Sequence, residues 1–113
     1  MTVAFIEINP APRNRGKVLE LLRFSAQRLS TKPQCLGAGV YEAVDGKDTI
    51  LYIERWETEE AHHHHLKSDL FFGVLTAIDM AQSLPEVAFY QVSSTASMDL
   101  VVELRGHRNL KSA

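Results

Sequence analysis

The sequence has little of several features that would assign it to a particular class of protein. Cys35 is the only cysteine in 113 residues, which excludes an intrachain disulfide and a metal site built on cysteines. Twelve basic residues are set against 14 acidic ones, for a net charge of -2. No basic stripe is present, so the sequence does not indicate a nucleic-acid partner. No run of about 18 apolar residues occurs, which argues against a membrane span.

The composition that remains is that of an ordinary globular protein. Hydrophobic residues make up 45% and charged residues 23% of the chain, and this length suffices for one core but not two. We predict a single domain over residues 1–105 and a polar tail over residues 106–113. The N-terminal residues run directly into a strand-like pattern without a signal peptide, so we expect a cytoplasmic protein.

Hydrophobic periodicity predicts the element order β-α-β-β-α-β. Strand patterns cover residues 3–8, 36–44, 49–57 and 87–94, and helical patterns cover residues 14–29 and 58–82. The second helical pattern is broken near Ser68 and Asp69, either of which could cap the following helix. The pair Asp45-Gly46 predicts a hairpin between the middle strands. A short helix is expected at residues 98–105. This order is that of the ferredoxin-like α+β fold.

The third strand is apolar on both of its faces over residues 49–53. A four-stranded sheet with helices on one side should instead alternate apolar and polar residues. We therefore expect a second copy of the chain to cover the other face in a symmetric homodimer. The alternative is an open sheet with an unusually apolar surface.

A characteristic segment begins with Tyr-Ile-Glu-Arg-Trp-Glu at residues 52–57 and continues with Glu60-Ala61, His65-Leu66 and Ser-Asp-Leu-Phe at residues 68–71. Weaker matches are Pro-Gln-Cys-Leu at residues 33–36, with Gln34 where many relatives have glycine, and Pro-Glu-Val at residues 85–87. With these motifs the chain resembles the antibiotic biosynthesis monooxygenase (ABM) superfamily of dimeric α/β-barrels, including its candidate quinol monooxygenases. The resemblance runs from residue 3 to about residue 105.

The resemblance implies two chemistries. One oxidises phenols or quinols with molecular oxygen and without metal or flavin. The other degrades haem, and that branch has a tryptophan nine residues after the strand-end tryptophan and a haem-ligating histidine ten residues later. Those positions fall on His65 and Leu75 here, and a leucine cannot ligate iron.

His65 is the candidate catalytic base, because an imidazole in an apolar pocket can take a phenolic proton near neutral pH. The alternative is that His65 only packs or bonds to a backbone carbonyl. Trp56 is expected both in the core and as a pocket wall. The resemblance also implies a polar pocket residue at the end of the first strand. The remaining predicted pocket residues are Tyr52, Phe71, Leu75 and Asn9.

Two further groups of residues have mainly structural interpretations. Glu54 shares a face with Trp56, and a carboxylate that faces inward would be costly unless it had a partner or a function. Arg55 takes the other face. We expect a surface or interface salt bridge for both. The run His62 to His65 makes a poor metal site, since zinc-binding helical pairs usually lie four residues apart and have a third ligand elsewhere. We predict no metal, and His63 and His64 facing water.

The sequence thus predicts a cofactor-independent monooxygenase that oxidises a small aromatic quinol or phenol with molecular oxygen. Two alternatives stay open: a non-catalytic dimeric binding module for a hydrophobic small molecule, and a haem-binding or haem-degrading relative. The expected partners are a second copy of the chain and a small aromatic ligand. Neither a nucleic acid nor a membrane is expected.

Overall fold

The fold is a four-stranded antiparallel sheet with helices packed on one face, as seen in a computed structural model that describes residues 1–106. The strand order in the sheet is β2-β3-β1-β4. The elements in chain order are β1 (Thr2–Ile8), a 3-10 turn (Pro12–Asn14), α1 (Arg15–Leu29), β2 (Cys35–Glu42), β3 (Ile50–Trp56), α2 (Glu59–Leu66), α3 (Phe71–Asp79), β4 (Glu86–Gln91) and α4 (Met98–Arg105). The predicted ferredoxin-like α+β fold is confirmed. Residues 107–113 of the predicted tail lie outside the described residues.

Alternation along the two central strands explains which face of the sheet is covered. Every second residue of β1 and β3 is buried beneath the helices, and the residues between them are only partly buried or exposed. The core formed there joins the sheet to α1 and α3. Its buried members are Ile6, Ile8, Val18, Leu22, Ile50, Tyr52, Phe71, Val74 and Ala77.

The pairing register of β1 and β3 shows which residues lie at each end of the sheet. Antiparallel pairing sets Thr2 opposite Trp56 and Ile8 opposite Ile50. A smaller buried cluster of Leu29, Trp56 and Ala61 forms at the first end. At the other end, Gly46 has a φ of +83° in the loop joining β2 and β3, a conformation that glycine adopts without steric cost. The predicted hairpin is confirmed.

The predicted break in the long helical pattern is confirmed, but its predicted cap is wrong. Neither Ser68 nor Asp69 caps α3, whose N-cap position is Leu70 and carries no side-chain cap. The Ser68 hydroxyl instead donates to the carbonyl of His65 at 2.7 Å. Such local hydroxyl-to-backbone bonds compete with capping. Ser68 is thereby held beside the His65 ring.

The last helix has no buried residue, although it is amphipathic. Three of its apolar side chains, Leu100, Val101 and Leu104, are 43%, 40% and 76% exposed. Ser97 caps it by accepting from the amide of Asp99 at 3.3 Å. None of the helices within residues 1–106 has the length and apolar character needed to cross a membrane.

Candidate functional site

A pocket of about 280 Å³ opens at the end of the sheet that carries Trp56. One wall is the turn that joins α1 to β2, and the opposite wall is α2 with the residues that follow it. Trp56 lies between them and is 4% exposed. The lining residues are Leu29, Lys32, Pro33, Gln34, Trp56, Ala61, His64, His65, Ser68 and Leu70.

A carboxylate is buried next to this pocket. Glu54 is 1% exposed and accepts three hydrogen bonds. Trp56 Nε1 donates to Oε1 at 2.9 Å, while Tyr52 Oη at 2.8 Å and His65 Nε2 at 3.1 Å reach Oε2. The expected surface or interface salt bridge is therefore wrong for Glu54. Strand alternation turns it under the helices, and exposed Arg55 takes the opposite face.

These contacts keep the buried carboxylate ionised. Burial alone would raise the pKa of Glu54, but the hydrogen bonds from His65, Trp56 and Tyr52, together with the attraction of the His65 ring when it is protonated, outweigh burial and lower the pKa. Burial and the nearby Glu54 charge raise the pKa of Tyr52, which stays a neutral phenol. Tyr52 can therefore donate to Glu54 while accepting from Ser25 Oγ at 2.8 Å.

His65 connects the carboxylate to the pocket. Its ring is stacked on Trp56, with centroids 4.9 Å apart, and meets the edge of Phe71 at 5.4 Å. Because Nε2 faces Glu54, the other nitrogen, Nδ1, lies on the side of Ser68, with Oγ at 3.4 Å. Ser68 has one hydroxyl hydrogen, which the His65 carbonyl already accepts. A neutral ring thus keeps the Nδ1 lone pair available to a ligand.

The predicted site residues separate into two groups. Trp56 and His65 line the pocket, whereas Phe71 packs behind His65 and Tyr52 lies in the core beneath it. Leu75 is 43% exposed, because the core-facing side of α3 is formed by its buried neighbours.

Asn9 is also remote from the pocket. It follows the end of β1 that pairs with Ile50, whereas Trp56 pairs with the beginning of that strand. It lines a separate polar depression with Glu7, Thr49, Ser83, Leu84 and Glu86. Within one chain, neither Asn9 nor Leu75 is part of the Trp56 pocket.

Three residues at the site were not among the predicted site residues: Glu54, Ser25 and Ser68. Glu54 was identifiable from strand alternation, which turns a carboxylate inward beside Trp56. Ser25 occupies a buried position in the apolar stripe of α1, and a polar residue there signals a buried partner. Ser68 carried no signal beyond its position near a helix break.

The four consecutive histidines have different surroundings. His63 and His64 are exposed, as predicted, and His64 reaches the pocket rim. His62 is 1% exposed and packs against the edge of Phe89 with centroids 4.7 Å apart. Neither of its nitrogens has a hydrogen-bond partner, and burial lowers its pKa. Among residues 1–106, no three metal-binding side chains come together as a candidate metal site.

Comparisons with known proteins agree with this architecture. A sequence profile of the antibiotic biosynthesis monooxygenase family matches residues 1–72. No curated protein matches the chain. A candidate antibiotic biosynthesis monooxygenase from Deinococcus radiodurans has a similar structure, with a TM-score of 0.76, 18% identity and coverage of 86% of this chain and 97% of that one.

Two further solved structures are similar. A Mycobacterium tuberculosis protein has a TM-score of 0.73, 21% identity and coverage of 86% and 100% of the two chains. A Bacteroides thetaiotaomicron protein of unknown function, described as a possible oxidoreductase, has a TM-score of 0.73, 15% identity and coverage of 80% and 96%. At such identities these structures show a shared fold, while the profile match covers more than half of the chain. The chain therefore belongs to the antibiotic biosynthesis monooxygenase family.

Proposed function

We propose that this protein is a cofactor-independent monooxygenase that oxidises a small aromatic quinol or phenol with molecular oxygen. The observation that carries the proposal is the buried Glu54–His65 pair, whose imidazole lines a pocket walled by Trp56. A carboxylate behind a histidine fixes the tautomer of the ring and stabilises the imidazolium formed when the ring accepts a proton. Family membership supports this class of reaction, since fold alone would not.

His65 is the base in this reaction. With the Nε2 hydrogen directed to Glu54, Nδ1 accepts the proton of a substrate hydroxyl in the pocket. The positive charge that develops on the ring lies 3.1 Å from the carboxylate in a buried setting, where an ion pair is screened less than in water. Glu54 is thus a positioning residue, held in place by Tyr52 and Trp56.

Deprotonation makes a quinol electron-rich, and the resulting anion can pass an electron to molecular oxygen. For a quinol, deprotonation and electron transfer to oxygen lead to a peroxide at a ring carbon. Loss of water from this adduct leaves a hydroxylated quinone. One oxygen atom enters the ring and the other leaves as water, and the substrate supplies all four electrons. The protein contributes deprotonation, orientation and a chamber that excludes bulk water.

The size of the pocket limits the substrate. A volume of about 280 Å³ lies just below the range of roughly 300–1,000 Å³ that is typical of small-molecule sites. The flat Trp56 and His65 rings favour an aromatic ligand that stacks or lies edge-on against them. A substrate of one or two rings suits these dimensions.

We also propose that the working form is a homodimer. Apolar surface on the sheet face opposite the helices supports this, since Phe5, Leu51 and Ile53 are only partly buried there. The apolar side of α4 is exposed as well. A second copy of the chain would remove both surfaces from water. Sedimentation equilibrium at micromolar concentration tests this: a dimer mass is expected, and a monomer mass would contradict it.

Oxygen uptake tests the proposed activity. Wild-type protein and His65→Ala, both freed of metal, are compared on a panel of hydroquinones and naphthoquinols. We expect uptake above the autoxidation rate, incorporation of one labelled oxygen atom per product, and at least a tenfold loss in the variant, equal to about 1.4 kcal/mol of barrier. Uptake that is equal in both proteins would remove His65 from the mechanism. Absence of uptake across the panel would instead favour a binding module.

A further inference from the structure

The two walls of the Trp56 pocket differ in charge. His65 and Ser68 lie on the wall formed by α2 and the residues after it, and Lys32 lies on the wall formed by the α1–β2 turn. None of the residues that line the pocket has a carboxylate side chain. Glu54, the carboxylate bonded to His65, is buried and has both oxygens engaged. The lining therefore presents positive charge and no competing anion.

Lys32 is held at this position by its backbone. Its amide donates to the carbonyl of Leu29 at 3.0 Å, and its carbonyl accepts from the amide of Cys35 at 3.1 Å. Pro33 follows directly and restricts the chain further. The root of the side chain is thus fixed at the pocket rim, which lowers the entropic cost of using the ammonium group for binding.

The ammonium group of Lys32 is also free of an ion pair. Among residues 1–106, no carboxylate lies within 4.0 Å of it. Asp69 lines an adjoining depression together with Lys32, but Arg28 lines the same depression and offsets that charge. Lys32 can therefore pair with an anion supplied by a ligand.

We infer that the substrate carries an anionic group, best matched by a carboxylate, on the side of its aromatic ring opposite the reacting hydroxyl. The hydroxyl would face His65 Nδ1 on one wall, the ring would lie against Trp56, and the carboxylate would face Lys32 on the other wall. Such a ligand spans the pocket from base to cation. This inference rests on the proposed site and names its substrate class, and Lys32 is the residue that determines specificity.

Lys32 has a simpler role that the test must separate. It follows the C-terminus of α1 closely, where a cation stabilises the helix by interacting with its dipole. That role would alter stability and leave the choice of ligand unchanged. Lys67 offers a matched control, because it also follows a helix C-terminus and does not line the pocket.

Ligand binding without turnover provides the test. Trp56 is the only tryptophan, so its fluorescence reports the pocket directly. Under anaerobic conditions, 4-hydroxybenzoate and its neutral analogue 4-hydroxybenzamide are titrated into wild type, Lys32→Gln and Lys67→Gln. We expect the carboxylate to bind wild type roughly fivefold more tightly than the amide, in line with a single accessible ion pair. Lys32→Gln should abolish that preference, and Lys67→Gln should retain it.

Three outcomes would overturn the inference: equal affinities in wild type, a preference that survives in Lys32→Gln, or no binding of either ligand at millimolar concentration. The activity is tested separately under air with 3,4-dihydroxybenzoate, whose 4-hydroxyl lies opposite the carboxylate, and with its amide. A carboxylate preference in binding without oxygen uptake would uphold the anion site and refute the oxygenase. Oxygen uptake from neutral quinols without any preference for the carboxylate in binding would uphold the oxygenase and refute the anion site.

Discussion

Replacing Glu54 by glutamine is the substitution that separates the stability of the buried network from its chemistry. Glutamine has the shape of glutamate, but one of its oxygens becomes an amide group that donates hydrogen bonds. Placed opposite Trp56 Nε1, this group would face another donor. The amide is therefore expected to turn the other way, with its oxygen toward Trp56 and its nitrogen toward Tyr52 and His65.

The turned amide forces His65 to change tautomer. The nitrogen of the turned amide donates to His65 Nε2 from the position that Glu54 Oε2 occupies in the wild type, 3.1 Å from Nε2. Nε2 must then be an acceptor, and the ring hydrogen moves to Nδ1. Tyr52 adapts by rotating its hydroxyl toward Ser25, 2.8 Å away. Every group keeps a partner, but the Nδ1 lone pair that serves as the proposed base is lost.

The expected magnitudes follow from this geometry. Charge-assisted bonds become neutral ones, so the free energy of unfolding should fall by only about 1–3 kcal/mol. Loss of a general base should lower the rate of oxygen uptake by about 100-fold or more. Glu54→Leu breaks the buried pair with His65 and leaves Trp56 Nε1 without its acceptor, so it should cost about 3–5 kcal/mol of stability.

Urea unfolding followed by Trp56 fluorescence measures the stabilities, and the nitrogen chemical shifts of the His65 ring identify the tautomer. A folded Glu54→Gln protein that keeps full activity with the hydrogen on Nε2 would refute the reasoning. A variant that loses activity only because it unfolds would also fail to support it, and the unfolding curve identifies that case.

Three further predictions concern residues that do not line the pocket. His62→Leu should raise the free energy of unfolding by roughly 1 kcal/mol, because it removes two buried nitrogens that have no partner. Burial lowers the pKa of His62 from 6.5, so the unfolded chain binds the proton at a higher pH than the folded chain does. Wild-type stability should therefore decline as pH falls below that value. Urea unfolding at several pH values should show a smaller decline in His62→Leu, and equal declines would contradict the assignment. Tyr52→Phe removes one donor to Glu54 and the acceptor of Ser25, for a cost of about 1–2 kcal/mol with less than tenfold change in oxygen uptake; a larger loss of uptake would give Tyr52 a direct role. Leu104→Glu on the exposed side of α4 should weaken dimerisation in sedimentation experiments, and an unchanged dimer mass would remove α4 from the interface.

Local patterns were sufficient to predict the fold. The strand patterns of β1 and β3, the helical spacing in α1 and the Asp45-Gly46 pair each depend on nearby residues, and the structure confirms all of these elements. The bounds of β4 differ from the prediction at its end, since pairing stops at Gln91. Where a strand stops depends on its partner strand, which a periodic pattern does not contain.

The site was less predictable, because it depends on which ends of the strands meet. Alternation places Glu54 and Trp56 on one face, but the pairing of β1 with β3 decides that Asn9 lies at the other end of the sheet. Likewise, helical spacing does not fix which side of α3 faces the core, so it could not place Leu75. The three donors to Glu54 come from residues 52, 56 and 65. Their convergence follows from the position of α2 over the sheet.

The central claim is that His65 removes a proton from a phenol bound in the Trp56 pocket. It is tested most directly without oxygen, by binding a chromogenic phenol such as 4-nitrophenol anaerobically at a pH below its pKa and recording the difference spectrum. The account predicts that the phenolate band appears on binding to wild type and is absent in His65→Ala and in Glu54→Gln. A bound phenol that stays protonated in wild type, or a phenolate band of equal strength in all three proteins, would contradict it.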